Sequence, residues 1–98
     1  MKTSCGNICQ VNIDNSSMLR KCIDENPRAL ELFLFMLEHM DSQNTLTCPY
    51  KVFQEELGIS DRTVSRCIKY LRDNNFLQIY RDSVNNVYVI NKDLVCKF

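Results

Sequence analysis

Glycine and proline are scarce, with two of each in 98 residues, which argues against a loop-rich or disordered chain. Long apolar runs are missing too. The longest, Leu32 to Leu37, is far short of the roughly 20 residues that cross a bilayer and suits a buried helix. The segment Met1 to Gln10 lacks the apolar block behind a basic start that marks an export signal. These absences lead us to expect a cytoplasmic protein with no membrane partner. Catalytic groups are also sparse. The chain has one histidine, His39, and its helical setting predicts a packing role. There is no glycine-rich phosphate loop and no nucleophile with a paired base. The acidic residues are scattered singly or on exposed helix faces. A non-enzyme without a cofactor is expected.

An excess of charge of one sign is likewise absent, since the formal net charge is zero. The distribution is uneven, however. Between Ser60 and Arg81 the charge is +3, from Arg62, Arg66, Lys69, Arg72 and Arg81 against Asp61 and Asp73, and the remainder of the chain carries −3. One segment therefore holds the positive field, as a phosphate-facing surface would.

Cysteine is what the chain has in plenty: Cys5, Cys9, Cys22, Cys48, Cys67 and Cys96. A disulfide framework needs an oxidising compartment. A structural zinc site needs a second close pair to match Cys5 and Cys9, and none follows. The expectation is free thiols buried as small apolar groups, with no metal.

A chain of this length makes one domain, here divided at residue 26. Residues 1–25 form an N-terminal extension of uncertain structure. In it Val11 and Ile13 alternate as a short strand would, and Met18, Leu19, Cys22 and Ile23 suit a short helix. Residues 26–98 read more clearly. Asn26 is a strong N-cap and Pro27 suits the first helical turn, which predicts a helix from Pro27 to about Met40. The spacing places Ala29, Leu30, Phe33, Leu34, Met36, Leu37 and Met40 on one core face. Leu32 and Phe35 fall on the other side, where the N-terminal segment or a second copy of the chain would cover them.

Next come a short strand at Thr45–Thr47, a helix from Pro49 to Leu57 and a turn at Gly58-Ile59-Ser60. A helix capped by Ser60 or Asp61 then runs to about Asn74. Its apolar face is Val64, Cys67, Ile68 and Leu71, with Arg62, Ser65, Arg66 and Lys69 opposite. The period then changes from 3.6 to 2 at Leu77, Ile79, Val87 and Val89, with a turn at Asp82–Asn86, which predicts a β-hairpin. Helix, strand, helix, helix, hairpin is the order of a winged helix-turn-helix, a mainly α fold with a small β-hairpin. Phe53, Leu57, Ile59, Val64 and Cys67 supply apolar contacts around the turn glycine. Gln54 stands where a small residue is usual.

In that motif the second helix enters the DNA major groove. Asp61, Arg62, Thr63 and Arg66, near the helix start, are the candidates for reading bases, with Ser65 offering a hydroxyl. Lys69 and Arg72 suit phosphates. Ser60, Tyr50 and Lys51 sit where the backbone passes, and Arg81 is the candidate wing contact. The expected partner is double-stranded DNA.

Residues 26–98 also resemble the RepL family, the replication initiators of small bacterial plasmids. The resemblance rests on Asn26-Pro27 with the Leu/Phe-rich helix after it, Met40-Asp41 and a polar loop, and Glu55-Glu56-Leu57-Gly58-Ile59-Ser60. It continues in Arg62-Thr63-Val64-Ser65-Arg66-Cys67-Ile68-Lys69 and in Tyr88 to Val95. Residues 1–25 lie outside it, and the tail stops early, at Phe98. The resemblance implies binding at a plasmid or phage origin and recruitment of host replication proteins. Two alternatives stay open. One is a transcriptional regulator of the same fold, with a homodimer face at Leu32 and Phe35 and host transcription proteins as partners. The other is a winged helix that binds protein.

Overall fold

The structure, a computed structural model, describes residues 9–12, 16–81 and 85–97. Strand β1 (Cys9–Val11) is followed by helices α1 (Ser16–Glu25) and α2 (Pro27–His39). Strand β2 (Thr45–Cys48) leads into helices α3 (Tyr50–Leu57) and α4 (Asp61–Asp73). Strands β3 (Leu77–Arg81), β4 (Asn86–Ile90) and β5 (Val95–Lys97) complete the chain. The fold is mainly helical α+β, and the order from α2 to β4 is that of a winged-helix-like arrangement.

Local chemistry sets most of the boundaries. Asn26 caps α2, its Oδ1 accepting the Ala29 N–H at 3.1 Å, and Pro27 occupies the first turn. Pro49 precedes α3, and Gly58 ends it at φ 64°, a left-handed conformation that glycine adopts freely. Ser60 Oγ accepts the Thr63 N–H at 3.2 Å and so starts α4. Asn75, at φ 64°, turns the chain out of α4 toward β3.

Strands β2, β4 and β3 form one antiparallel sheet in that order, with Leu77 opposite Ile90 and Arg81 opposite Asn86. The strand expected at Thr45–Thr47 is thus the third member of the wing sheet, pairing Thr45 with Val89 and Cys48 with Asn86. Asn86 begins β4 rather than ending the turn, and Asp82 to Val84 lie outside the described residues. A second, two-stranded sheet joins the ends of the chain, with Cys9 opposite Lys97 and Val11 opposite Val95. Ile13, the other residue of the expected N-terminal strand, lies outside the described residues, as does Cys5.

The core lies between the helices and the inner face of the wing sheet. Ala29, Leu32, Phe33, Met36 and Met40 are buried along α2, where they meet Val64, Cys67, Ile68 and Leu71 from α4. Phe33 meets Phe76 edge-on at 5.1 Å between ring centroids. From α1, Cys22 is fully buried, with Met18 and Leu19 packed against the same core. Cys22 donates to the Asn26 carbonyl at 3.5 Å.

The structure corrects the expected faces of α2. Leu32 is fully buried and Leu34 is 51% exposed. At 100° per residue Leu32 lies within 40° of Met36, so the two share the buried arc. Leu34 falls beyond its far edge. Phe35 is half-buried within the chain, its ring 5.7 Å from that of Phe53 in a T-shaped contact and 4.4 Å from the His39 ring. The cover expected from the N-terminal segment or a second copy is therefore supplied at Phe35 by α3. Of the two residues expected on a homodimer face, Leu32 is fully buried within the chain and Phe35 keeps part of its surface exposed.

Candidate nucleic-acid interface

Helix α4 divides cleanly. Val64, Cys67, Ile68 and Leu71 have at most 2% of their surface exposed. Asp61, Arg62, Ser65, Arg66, Lys69 and Arg72 are exposed on the remaining arc. The split follows from the spacing: 64, 67, 68 and 71 repeat at three and four residues, so the charged positions between them turn outward. Burial raises the pKa of the Cys67 thiol, which keeps the thiol neutral and apolar beneath the basic face.

The ion pairs among the described residues are Arg28–Glu31, Lys51–Glu55 and Arg72–Asp73. Arg62, Arg66 and Lys69 belong to none of them, so three adjacent cations on one helix face lack a carboxylate partner in this set. Arg72 shares its charge with Asp73 at 3.4 Å, and Lys51 with Glu55 at 3.9 Å, both in exposed pairs of small energy.

Residues 4–98 match the family described as Firmicute plasmid replication protein RepL. The chain belongs to the RepL family. The matched span takes in the N-terminal residues that the sequence motifs did not reach. No curated protein and no solved structure gave a match.

Other expected contact residues of this RepL-family chain have structural duties. Ser60 and Thr63 share a hydroxyl–hydroxyl hydrogen bond at 3.0 Å within the α4 cap, and Thr63 is half-buried. Tyr50, at the start of α3, is half-buried against the core, while Lys51 beside it is exposed. At the opposite end of α4, the Tyr70 hydroxyl donates to Glu25 Oε1 at 2.9 Å, which ties α4 to α1. Burial, then this bond, push the Tyr70 pKa up to about 12.

The turn between α4 and β3 carries the wing back beside α3. This closes a groove of about 470 Å³ in which Tyr50, Arg72 and Arg81 meet. The three come from the start of α3, the last turn of α4 and the end of β3. Tyr80, which sequence reasoning missed, lines the same groove and is 55% exposed. Its signal was an aromatic residue next to Arg81 at the end of β3.

No helix among the described residues is long and apolar enough to cross a membrane. The described residues bring together no group of three or more metal-ligating side chains. Cys22, Cys48 and Cys67 are free thiols.

Proposed function

We propose that this RepL-family protein is a cytoplasmic replication initiator without enzymatic activity, which binds double-stranded DNA at a plasmid origin through α4. One observation carries the reading: the exposed row Arg62, Arg66, Lys69, which joins none of the ion pairs among the described residues, on a helix whose other face is fully buried. A helix so fixed in its core presents a rigid cationic edge, and the major groove admits a helix of this width. Asp61, Arg62 and Arg66, in the first turns, read base edges. Lys69 holds phosphate, and Ser65 adds a short hydroxyl contact. Lys51 and Arg81 engage the backbone on either side. Thr63 acts through the helix cap. The bound protein recruits host replication proteins.

The test is fluorescence anisotropy on a random duplex pool at two salt concentrations, followed by sequencing of the bound fraction. The expected result is salt-sensitive binding that enriches one motif, located at the origin of the replicon carrying the gene. Binding that enriches nothing, or no binding at low salt, overturns the reading.

A further inference from the structure

We propose that the groove between the start of α3, the last turn of α4 and β3 takes an unpaired DNA nucleotide, its base stacked on Tyr80 and its phosphate held by Arg81 and Arg72. The inference rests on the DNA-binding reading above and adds to it a second kind of ligand, single-stranded DNA.

Tyr80 is exposed near the end of the edge strand β3, where it lines a groove together with Arg72 and Arg81. Its hydroxyl does not explain it. The phenolic proton is donated to Gln78 Oε1 at 2.7 Å, so Tyr80 has no proton left for a phosphate oxygen. That bond holds the ring along the strand, and the free part is its π-face.

An intact duplex offers edges and phosphates but keeps its base faces inside the stack. A π-face paired with cations therefore matches a base that has left the stack. Aromatic rings beside basic side chains are how single-stranded nucleic acid is bound without sequence preference.

The neighbours fit this ligand. Arg81 is adjacent in sequence, Arg72 faces the groove from α4, and Tyr50 and Ile79 supply apolar walls. Asn86, opposite Arg81 in the sheet, is positioned by donating to the Tyr88 hydroxyl at 3.2 Å. Among the described residues Asp73 pairs with Arg72, and this exposed, weak pairing yields readily to a phosphate. The groove volume, about 470 Å³, falls within the roughly 300–1,000 Å³ of small-ligand clefts.

The experiment compares labelled oligo(dT) with a duplex carrying the selected motif, by anisotropy at low salt, for wild type, Tyr80→Ala and Tyr80→Phe. Circular dichroism confirms that each variant is folded. Wild type is expected to bind both ligands. Tyr80→Ala should lose about tenfold in affinity for oligo(dT) and less than twofold for the duplex, and Tyr80→Phe should bind oligo(dT) like wild type. A wild type that binds duplex but not oligo(dT) overturns this proposal and leaves the duplex reading standing. Failure to bind either ligand overturns both. Equal loss on both ligands in Tyr80→Ala, or no loss on either, overturns the stacking role.

Discussion

The Asn44 side chain reaches the carbonyl oxygen of Val95, its Nδ2 donating at 2.6 Å across 51 residues of sequence. The same nitrogen donates to the Ile90 carbonyl at 3.3 Å, and the Asn44 carbonyl accepts the Ile90 N–H at 2.8 Å. Asn44 is fully buried and sits at φ 59°. One residue thus joins the loop after α2, the wing strand β4 and the C-terminal strand β5.

Replacing Asn44 with alanine should be among the most destabilising single changes outside the apolar core. It removes the donor from two buried carbonyls, at about 1–3 kcal/mol, and places a residue with no local hydrogen bond in a left-handed conformation, at roughly 1 kcal/mol more. Urea unfolding should show a loss of about 2–4 kcal/mol. A loss below about 0.5 kcal/mol would mean that water replaces the amide.

Gly58 tests backbone conformation without packing. A Cβ built there meets nothing within 4 Å, yet φ is +64°. Gly58→Ala should therefore cost about 1 kcal/mol from conformation alone, and Gly58→Asn less, because asparagine tolerates this region. If asparagine proves the worse of the two, a steric clash is at work instead.

The corrected faces of α2 give opposite expectations for two leucines only two positions apart. Leu32→Ala should cost about 2–5 kcal/mol, as a cavity in a fully buried site does. Leu34→Lys, at a side chain half in water, should change stability by no more than about 0.5 kcal/mol. Thermal unfolding of the pair decides the matter, and the reverse order would restore the face read from spacing.

Alkaline pH should weaken the fold. Burial pushes the thiols of Cys22 and Cys48 up to about 11, from an ordinary value of 9.0. The folded chain thus keeps protons that the unfolded chain releases above pH 9. This stabilisation is complete below pH 9 and is lost as pH rises through 11, on the order of 2 kcal/mol per thiol. Urea midpoints at pH 8 and pH 10.5 should differ, and the difference should shrink in Cys22→Ala and Cys48→Ala. An unchanged difference in both variants would assign the effect to other groups.

On the cationic face of α4, Arg66 and Lys69 should respond differently. Arg66→Ala should relax sequence preference, at about 1–3 kcal/mol for the favoured base pair. Lys69→Ala should weaken binding to all sequences alike and reduce the salt slope by about one. Variants indistinguishable from wild type in both measures would remove α4 from the interface.

Much of this molecule was legible in its sequence because local chemistry decides it. Asn26-Pro27, Gly58 and Ser60 mark helix ends by hydrogen bonding and backbone freedom within a few residues. The four buried positions of α4 stand out because polar, charged or amphipathic residues, Ser65, Arg66, Lys69 and Tyr70, occupy the positions between them. In α2 the same logic failed: from Leu32 to Leu37 every residue is apolar, so periodicity could not select the buried arc, and packing against α4 and Phe53 chose it. Contacts distant in sequence were also hidden, since the pairing of β1 with β5, the addition of β2 to the wing and the reach of Asn44 each depend on a partner that folding brings near. The groove of Tyr50, Arg72, Tyr80 and Arg81 is of the same kind. Each residue is ordinary in its own element, and only the path of the chain from α4 back along β3 places the aromatic ring and the cations in one site.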